Sequence, residues 1–210
     1  MYTLYYFPGA CSLAVHSVLE ELRVPFQLVP VNLRQGEHFG EAFRALNPAA
    51  RVPVLVDGDF VLTEAPAILN YLAELYPDAG LLPTESRTRA DCWRWLNYAS
   101  SRLHPAFSRV MVPKRFAAEE QAAQVRAAGE REVVECYQLL EQALAQRDYI
   151  TGSTIRLPDY LLYVILTWDR MLDRPQVEDY PRLAAYRQRV GARPAVQRAQ
   201  ARETAALASA

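Results

Sequence analysis

Three short motifs in the first 70 residues carry groups that can do chemistry at a thiol. The first is Cys11, which follows a Pro-Gly-Ala turn and opens a predicted helix. Free N–H groups and the dipole at a helix start favour a thiolate, so the thiol there is expected to be nucleophilic. Position 14 is Ala, which makes the site a monothiol that needs an external thiol for any redox cycle. Taken alone, Cys11 fits equally well as a small buried hydrophobic residue.

The second motif is Arg51-Val52-Pro53-Val54, where a proline heads a predicted strand. A cis bond before Pro53 would turn the N–H and C=O of Val52 outward, where they can pair with an extended peptide backbone. An ordinary trans proline at the start of a strand is the alternative interpretation, and for an isolated Val-Pro pair it is the more common one.

The third motif is Thr63-Glu64-Ala65-Pro66. Pro66 suits the first turn of a helix, and the N–H of Ala65 would then face an anion such as a carboxylate. Glu64 can accept from an ammonium group, so the pair suits the zwitterionic end of an amino acid. Alternatively, Glu64 only complements the helix dipole.

A further candidate surface lies in the second half of the chain. Asn97, Ser101 and His104 follow the i, i+4, i+7 spacing of one helix face, which is distinct from the apolar stripe of the same segment. Pro105 is expected to kink the helix at this point. A kinked polar face suits the wall of a cleft, although a solvated surface explains Asn97 and Ser101 as well.

The elements that must position these motifs change in type along the chain. The first 80 residues predict the order β-α-β-α-β-β-α, with a parallel first strand pair and a hairpin at Asp57-Gly58-Asp59. Beyond the turn-rich segment 79–87 the patterns predict helices alone. The predicted segments are strands 3–7, 26–31, 54–56 and 60–62, and helices 12–22, 39–46, 65–76, 157–172, 182–190 and 195–202, with residues 204–210 expected to fray.

Composition limits the function classes. The 210 residues carry a net charge of −1, which gives no electrostatic footprint for nucleic acid or an anionic membrane. The longest apolar run, Tyr160 to Leu166, is too short to span a bilayer, and the N-terminus does not resemble a signal peptide. Three cysteines and three histidines, widely spaced, predict neither a disulfide framework nor a metal site. We therefore expect a cytoplasmic protein.

The ordered set of motifs resembles the glutathione transferase family, and most closely its bacterial beta class. The resemblance covers essentially the whole chain, and its specificity comes from the set, since each motif alone is weak. It is carried by residues 5–14, by Asn47-Pro48 through Leu55, by Leu62-Thr63-Glu64 through Leu72, by Trp95-Leu96-Asn97-Tyr98 with His104, by Pro158-Asp159-Tyr160-Leu161 and by Arg193-Pro194-Ala195-Val196.

The resemblance implies a thioredoxin-like α/β N-terminal domain at residues 1–79 and an all-helical C-terminal domain at 87–210, usually in a homodimer. It implies that glutathione binds as co-substrate with no metal: Val52, before a cis Pro53, would pair with its cysteinyl backbone, and Glu64 with the N–H of Ala65 would hold its γ-glutamyl end. Cys11 and His104 would face the sulfur, and Asn97 and Ser101 would also reach glutathione. The catalytic candidates are Cys11, Ser12 and His104.

Three functions are consistent with these residues. The first is conjugation of glutathione to small, apolar electrophiles. The second is a glutathione-dependent thiol-disulfide oxidoreductase or peroxidase that acts through a Cys11-glutathione mixed disulfide. The third is a non-catalytic binding module. The third is prompted by two departures from the family: Ala65 where Ser or Gly is usual, and Gln35 near a usual basic residue.

Overall fold

The computed structural model of the protein describes residues 1–208, with side chains described to residue 205, and it divides into two compact units. The first unit comprises Met1–Leu82 together with the chain from Ala192 onward, and the second comprises Pro83–Gly191. The predicted domains, 1–79 and 87–210, differ from this division at the C-terminal end, because the last helix packs on the first unit.

The first unit is built on a four-stranded sheet in the order β2-β1-β3-β4. Strands β1 and β2 are parallel and β3–β4 is antiparallel, as the sequence predicted. The β1–β3 pair, which the sequence did not predict, is antiparallel. The hairpin between β3 and β4 turns at Gly58, whose φ of 62° is a conformation that glycine adopts without strain. The strands are β1 (Tyr2–Tyr6), β2 (Phe26–Pro30), β3 (Val54–Asp57) and β4 (Phe60–Thr63).

Four α-helices belong to this unit: α1 (Ser12–Leu22), α2 (Glu41–Leu46), α3 (Ala65–Leu75) and α9 (Pro194–Ala208). The predicted four-stranded thioredoxin-like arrangement is confirmed. Helix α9 extends beyond the predicted 195–202 into the segment expected to fray, and residues 209 and 210 lie outside the described part of the chain.

Helix α9 is attached to α1 by charged side chains. Glu20 of α1 accepts from Arg198 at 2.8 Å and from Arg202 at 2.7 Å, and Glu21 pairs with Arg193. Each of these three arginines belongs to the C-terminal segment, so α9 docks on the first unit through several pairs at once.

The helices of the second unit are joined by turns and by one isolated β-bridge, Tyr149 with Gly152. Its α-helices are α4 (Ser86–Tyr98), α5 (His104–Met111), α6 (Ala122–Ala143), α7 (Leu157–Leu166) and α8 (Pro181–Gly191). The segment 157–172 is apolar on nearly every face, which predicts a buried helix, and every residue of α7 is buried. Helical spacing also predicts two apolar stripes in this unit, and the residues of both are buried: Cys92, Leu96, Ala99 and Leu103 in one, and Val133, Tyr137, Leu140 and Leu144 in the other. Helix α7 ends earlier than predicted and continues as a 3-10 helix over Thr167–Met171. Among residues 1–208, no helix is both long and apolar enough to cross a membrane.

Asp159 organises the start of α7. Its carboxylate is completely buried and accepts from the N–H of Ile150 at 2.9 Å, the N–H of Arg156 at 2.7 Å and the hydroxyl of Tyr186 at 2.8 Å. The bond from Arg156 is one half of a capping box, and the arginine side chain cannot supply the reciprocal acceptor. We call these four residues the Asp159 centre.

Candidate functional site

The sheet topology brings the three N-terminal motifs to one end of the sheet, where the strands begin or finish. Cys11 follows the end of β1, Val52 and Pro53 precede the start of β3, and Glu64 follows the end of β4. Val54 pairs with Tyr5 of β1 and with Thr63 of β4, so these three strand ends are adjacent. We call Cys11, Val52, Glu64 and Ala65 the site edge.

Cys11 lies immediately before α1 and is half-buried, and its thiol donates to the carbonyl of Val52 at 3.6 Å. Burial raises the pKa of the Cys11 thiol to about 12. The Glu64 carboxylate raises this pKa further, whereas the backbone N–H groups of Cys11 and Ser12 and the Arg51 guanidinium lower it. The thiol is therefore protonated at neutral pH, and the predicted preference for the thiolate is wrong because desolvation outweighs the donors at the helix start.

Ser12 is buried, and its hydroxyl is used within the loop that connects β1 to α1. The hydroxyl donates to the carbonyl of Phe7 at 3.2 Å and accepts from the N–H of Phe7 at 3.3 Å. This pair of bonds fixes the loop, and it would have to break before Ser12 could donate to a thiolate. A catalytic role for Ser12 therefore stays a prediction.

The peptide bond between Val52 and Pro53 is cis. Asn47, which is buried, supports the segment that leads into it: the side-chain amide donates to the carbonyl of Arg51 at 2.7 Å, and the side-chain oxygen accepts from the N–H of Ala49 at 3.0 Å. Asn47, which directly follows α2, thus fixes the backbone that leads to Val52.

Glu64 is exposed and has a left-handed φ of 68°, which is unusual for a residue other than glycine. Helix α3 begins at Ala65, and its first intrahelical bond is donated by Ile68 to the carbonyl of Glu64 at 3.0 Å. The N–H groups of Ala65 and Ala67 precede that bond, so the helix start offers donors for an anion beside an exposed carboxylate.

The polar residues predicted to share one helix face belong to the second unit, with Asn97 on α4, Ser101 after its end and His104 at the start of α5. Asn97 and Ser101 are exposed, and the Asn97 amide donates to the carbonyl of Trp93 at 2.9 Å. His104 is half-buried, with its ring 5.0 Å from that of Trp168. The role of these three residues in binding stays a prediction.

A π-helical turn over Ala99–Leu103 lies between Asn97 and His104 and contains Ser101, and the N–H of His104 bonds to the carbonyl of Ala99. This turn breaks the 3.6-residue phase on which the predicted shared face depends. Pro105, which lacks an N–H, follows directly, and the proline was the signal in the sequence that regular helical bonding would fail here.

Sequence analysis did not identify Glu203 and His16 as functional candidates. Glu203 is 3% exposed and His16 is fully buried, and the Glu203 carboxylate bonds to His16 Nδ1 at 3.0 Å and accepts from the N–H of Gly9 at 2.9 Å. A charged residue in a segment of small residues was the only local signal, because the partners lie 187 and 194 positions away.

Comparison with known proteins agrees with this arrangement. Residues 1–74 match the glutathione S-transferase N-terminal domain family, and residues 98–194 match the glutathione S-transferase C-terminal domain family. Glutathione S-transferase GstA of Escherichia coli is 36% identical over 197 residues, covering 92% of this chain and 94% of the relative.

Two solved structures extend the similarity to the fold. A Sulfitobacter glutathione transferase homologue, solved with bound glutathione, has a TM-score of 0.91 and 30% identity, covering 96% of this chain and 98% of that one. A bacterial beta class glutathione S-transferase of Sphingomonas chungbukensis has a TM-score of 0.84 and 32% identity, with coverage of 96% and 98%. The chain therefore belongs to the glutathione S-transferase family and is similar to its bacterial beta class.

Proposed function

We propose that this glutathione S-transferase uses the site edge to bind glutathione and conjugates its thiolate to small, apolar electrophiles. The observation that carries the proposal is the meeting of a thiol-bearing helix start, the backbone of Val52 and the Glu64–Ala65 helix start at one end of the sheet. These groups suit, in turn, the sulfur, the peptide backbone and the zwitterionic end of the tripeptide.

The binding roles follow from the groups that each residue offers. Val52 would pair with the cysteinyl backbone, Glu64 would accept from the γ-glutamyl ammonium, and the N–H of Ala65 would donate to the γ-glutamyl carboxylate. The N–H groups at the start of α1 would stabilise the thiolate of glutathione. That thiolate attacks an electrophilic carbon, forming a C–S bond and displacing a leaving group, while the thiol proton goes to solvent.

The raised pKa of Cys11 favours conjugation over chemistry at Cys11 itself. Conjugation needs only the thiolate of glutathione, whereas attack by Cys11 on a disulfide needs a Cys11 thiolate, and burial raises the pKa of that thiol to about 12. The second candidate function is thiol-disulfide exchange, which the contact between the Cys11 sulfur and the Val52 carbonyl supports. In it, Cys11 would displace a thiol from a glutathionylated substrate, and free glutathione would then release glutathione disulfide and restore Cys11.

Kinetic assays separate the two functions. We expect turnover with a chromogenic aryl halide or another member of an electrophile panel, and we expect Cys11→Ala to retain it while disulfide reduction is lost. Ser12→Ala and His104→Ala measure the contributions of the other two catalytic candidates, and Asn97→Ala and Ser101→Ala those of the further binding candidates. Absence of turnover with every electrophile would contradict conjugation, and intact disulfide reduction in Cys11→Ala would contradict the second function.

The proposal includes a homodimer acting in the cytoplasm in detoxification, with glutathione as co-substrate. The family assignment supports these features, and the charge of −1 is consistent with a partner that is neither nucleic acid nor membrane. Sedimentation equilibrium across protein concentrations tests the dimer, and fractionation of cells tests the location.

A further inference from the structure

The C-terminal helix α9 reaches the loop that carries Cys11 through a single buried carboxylate. One oxygen of Glu203 accepts from the N–H of Gly9 at 2.9 Å, and the other is 3.0 Å from His16 Nδ1. Gly9 is two residues before Cys11, and His16 lies one turn into the helix that Cys11 opens. Glu203 therefore connects the loop and the helix on both sides of the thiol.

Burial makes this connection strong. Glu203 and His16 are 3% and 0% exposed, so water does not compete for the carboxylate, and a hydrogen bond to a buried charged group is worth more than one at the surface. Gly9 has a left-handed φ of 73°, and its N–H is held by the carboxylate in that conformation. Loss of the carboxylate would leave the turn before Cys11 without this restraint.

The contacts of α9 with Glu20 are ion pairs made by partly exposed arginines. Arg198 and Arg202 bind Glu20 near the surface, at 45% exposure of both arginine side chains, and Glu20 is one full turn beyond His16 on α1. These pairs dock α9 on the unit without involving the residues 8–11 of the loop. The helix interface therefore holds docking contacts and one contact to the loop, which can be changed separately.

We propose that Glu203 is a positioning residue for Cys11. Its contacts with Gly9 and His16 fix the Pro8-Gly9-Ala10-Cys11 loop, so the last helix is part of the thiol site. The proposal extends the proposed function, in which Cys11 lies beside the sulfur of glutathione. The loop holds Cys11 in a partly desolvated position, and desolvation is what keeps the thiol protonated. Release of Gly9 should admit water to Cys11 and make the thiol more reactive, while the site that orients glutathione loosens.

The test is the rate at which iodoacetamide alkylates each cysteine of the full-length protein, followed by mass spectrometry. In Glu203→Ala, we expect alkylation of Cys11 at fixed pH to rise about tenfold, which corresponds to a fall of about one unit in the thiol pKa. Cys92 and Cys136 are buried in the second unit and should stay unreacted. Conjugation turnover should move in the opposite direction and fall.

Glu20→Gln is the matched control, because it removes the carboxylate that binds Arg198 and Arg202. That carboxylate also lies 3.9 Å from His16 Nε2, but the bonds of Glu203 to the Gly9 N–H and to His16 Nδ1 do not involve it. It is expected to lower thermal stability only by a small amount, because ion pairs with partly exposed arginines contribute little. Alkylation of Cys11 should stay within about twofold of that in the unmodified protein. Glu203→Gln keeps one acceptor oxygen for two partners and should shift alkylation in the same direction by a smaller factor. If Glu203→Ala does not fold, the alkylation rate of Cys11 in Glu203→Gln decides whether the proposal stands.

Equal alkylation of Cys11 in the unmodified protein and in the Glu203 variants would overturn the proposal. An equal rise in Glu20→Gln would also overturn it, since the effect would then belong to helix docking in general. Alkylation needs no glutathione, so a protein that lacks conjugation activity but shows the Glu203 effect contradicts the proposed function and leaves the positioning role supported.

Discussion

The site edge and the Asp159 centre both place a carboxylate next to the first turn of a helix, but they use it differently. Asp159 is completely buried, and three protein donors occupy its oxygens. Glu64 is exposed, has a φ of 68°, and precedes a helix whose first N–H groups are still available for a ligand. One carboxylate is satisfied inside the protein, and the other faces outward.

This difference predicts that the Asp159 carboxylate serves the stability of the fold and the Glu64 carboxylate serves the binding of glutathione. Backbone strain of the kind seen at Glu64 costs on the order of 1–3 kcal/mol and is typical of ligand clamps, whereas a carboxylate with three internal donors contributes to the folded state itself. Substitutions at the Asp159 centre should therefore change the free energy of unfolding, and substitutions at the site edge should change the affinity for glutathione.

The largest effect is expected for Asp159→Ala, which leaves two buried donors and one partly buried donor without an acceptor. Each unsatisfied buried donor costs about 1–3 kcal/mol, so the free energy of unfolding should fall by about 4 kcal/mol. Urea denaturation measures this value. Asp148→Ala is the control, because Asp148 is an exposed carboxylate paired with Arg189, and its loss should cost under about 1 kcal/mol.

The folded fraction of Asp159→Ala should bind glutathione as the unmodified protein does. Calorimetric titration on protein that is folded by circular dichroism checks this point. A large loss of affinity with intact folding would mean that the two regions are coupled, and the comparison would fail.

The next effect concerns pH. Burial raises the pKa of Asp159 from 3.8 to about 6, against the opposing influence of the two N–H donors and the Tyr186 hydroxyl. The folded state thus binds this proton more tightly than the unfolded state does. The stabilising contribution of protonation is fully present below about pH 4 and is lost as the pH rises through 6.

Asp159→Asn removes this titration. The difference in unfolding free energy between the unmodified protein and Asp159→Asn should decrease by on the order of 3 kcal/mol from pH 4 to pH 7. Other titrating groups are shared by both proteins and cancel in the difference. Urea denaturation at four pH values provides the measurement, and a difference that is constant or increases with pH would contradict the raised pKa.

Local sequence signals predicted most of the fold. The apolar stripes of α4 and α6, the Asp-Gly-Asp hairpin and the start of α1 at Ser12 depend on spacing and turn chemistry within a few residues, and all are present in the structure. The cis bond at Pro53 followed from the family resemblance, because an isolated Val-Pro pair favours trans.

The features that sequence analysis missed depend on distant partners. Glu203 lies between the predicted last helix, 195–202, and the segment expected to fray, 204–210, and its contacts with His16 and Gly9, far away in sequence, explain its burial. The raised pKa of Cys11 depends on desolvation by residues around it, which the helix start alone does not reveal. The π turn before His104 was partly signalled by Pro105, but its register could not be read from the 3.6-residue pattern.

At the site edge, Glu64→Gln should weaken glutathione binding about 30-fold, since the loss of a charged acceptor for an ammonium group is worth about 2 kcal/mol. Gln keeps the size of the side chain, so the free energy of unfolding should change by less than about 0.5 kcal/mol. Glu74→Gln is the control, because it makes the same exchange at an exposed position of α3. Binding of glutathione by calorimetry checks both, and unchanged affinity in Glu64→Gln would exclude Glu64 from the site.

The smallest effect is expected for Ala65→Ser, which restores the hydroxyl that the family resemblance places at this position. One added hydrogen bond to the γ-glutamyl carboxylate is worth about 1 kcal/mol, so affinity should increase about fivefold. Ala67→Ser, exposed in the same first turn, should have no such effect. If Glu64 and the position-65 hydroxyl hold the same end of glutathione, the gain should shrink in a protein that also carries Glu64→Gln, because the end they share is then less well fixed. Additive effects would place the two groups on separate parts of the ligand, and the site edge would no longer hold the zwitterionic end as one unit.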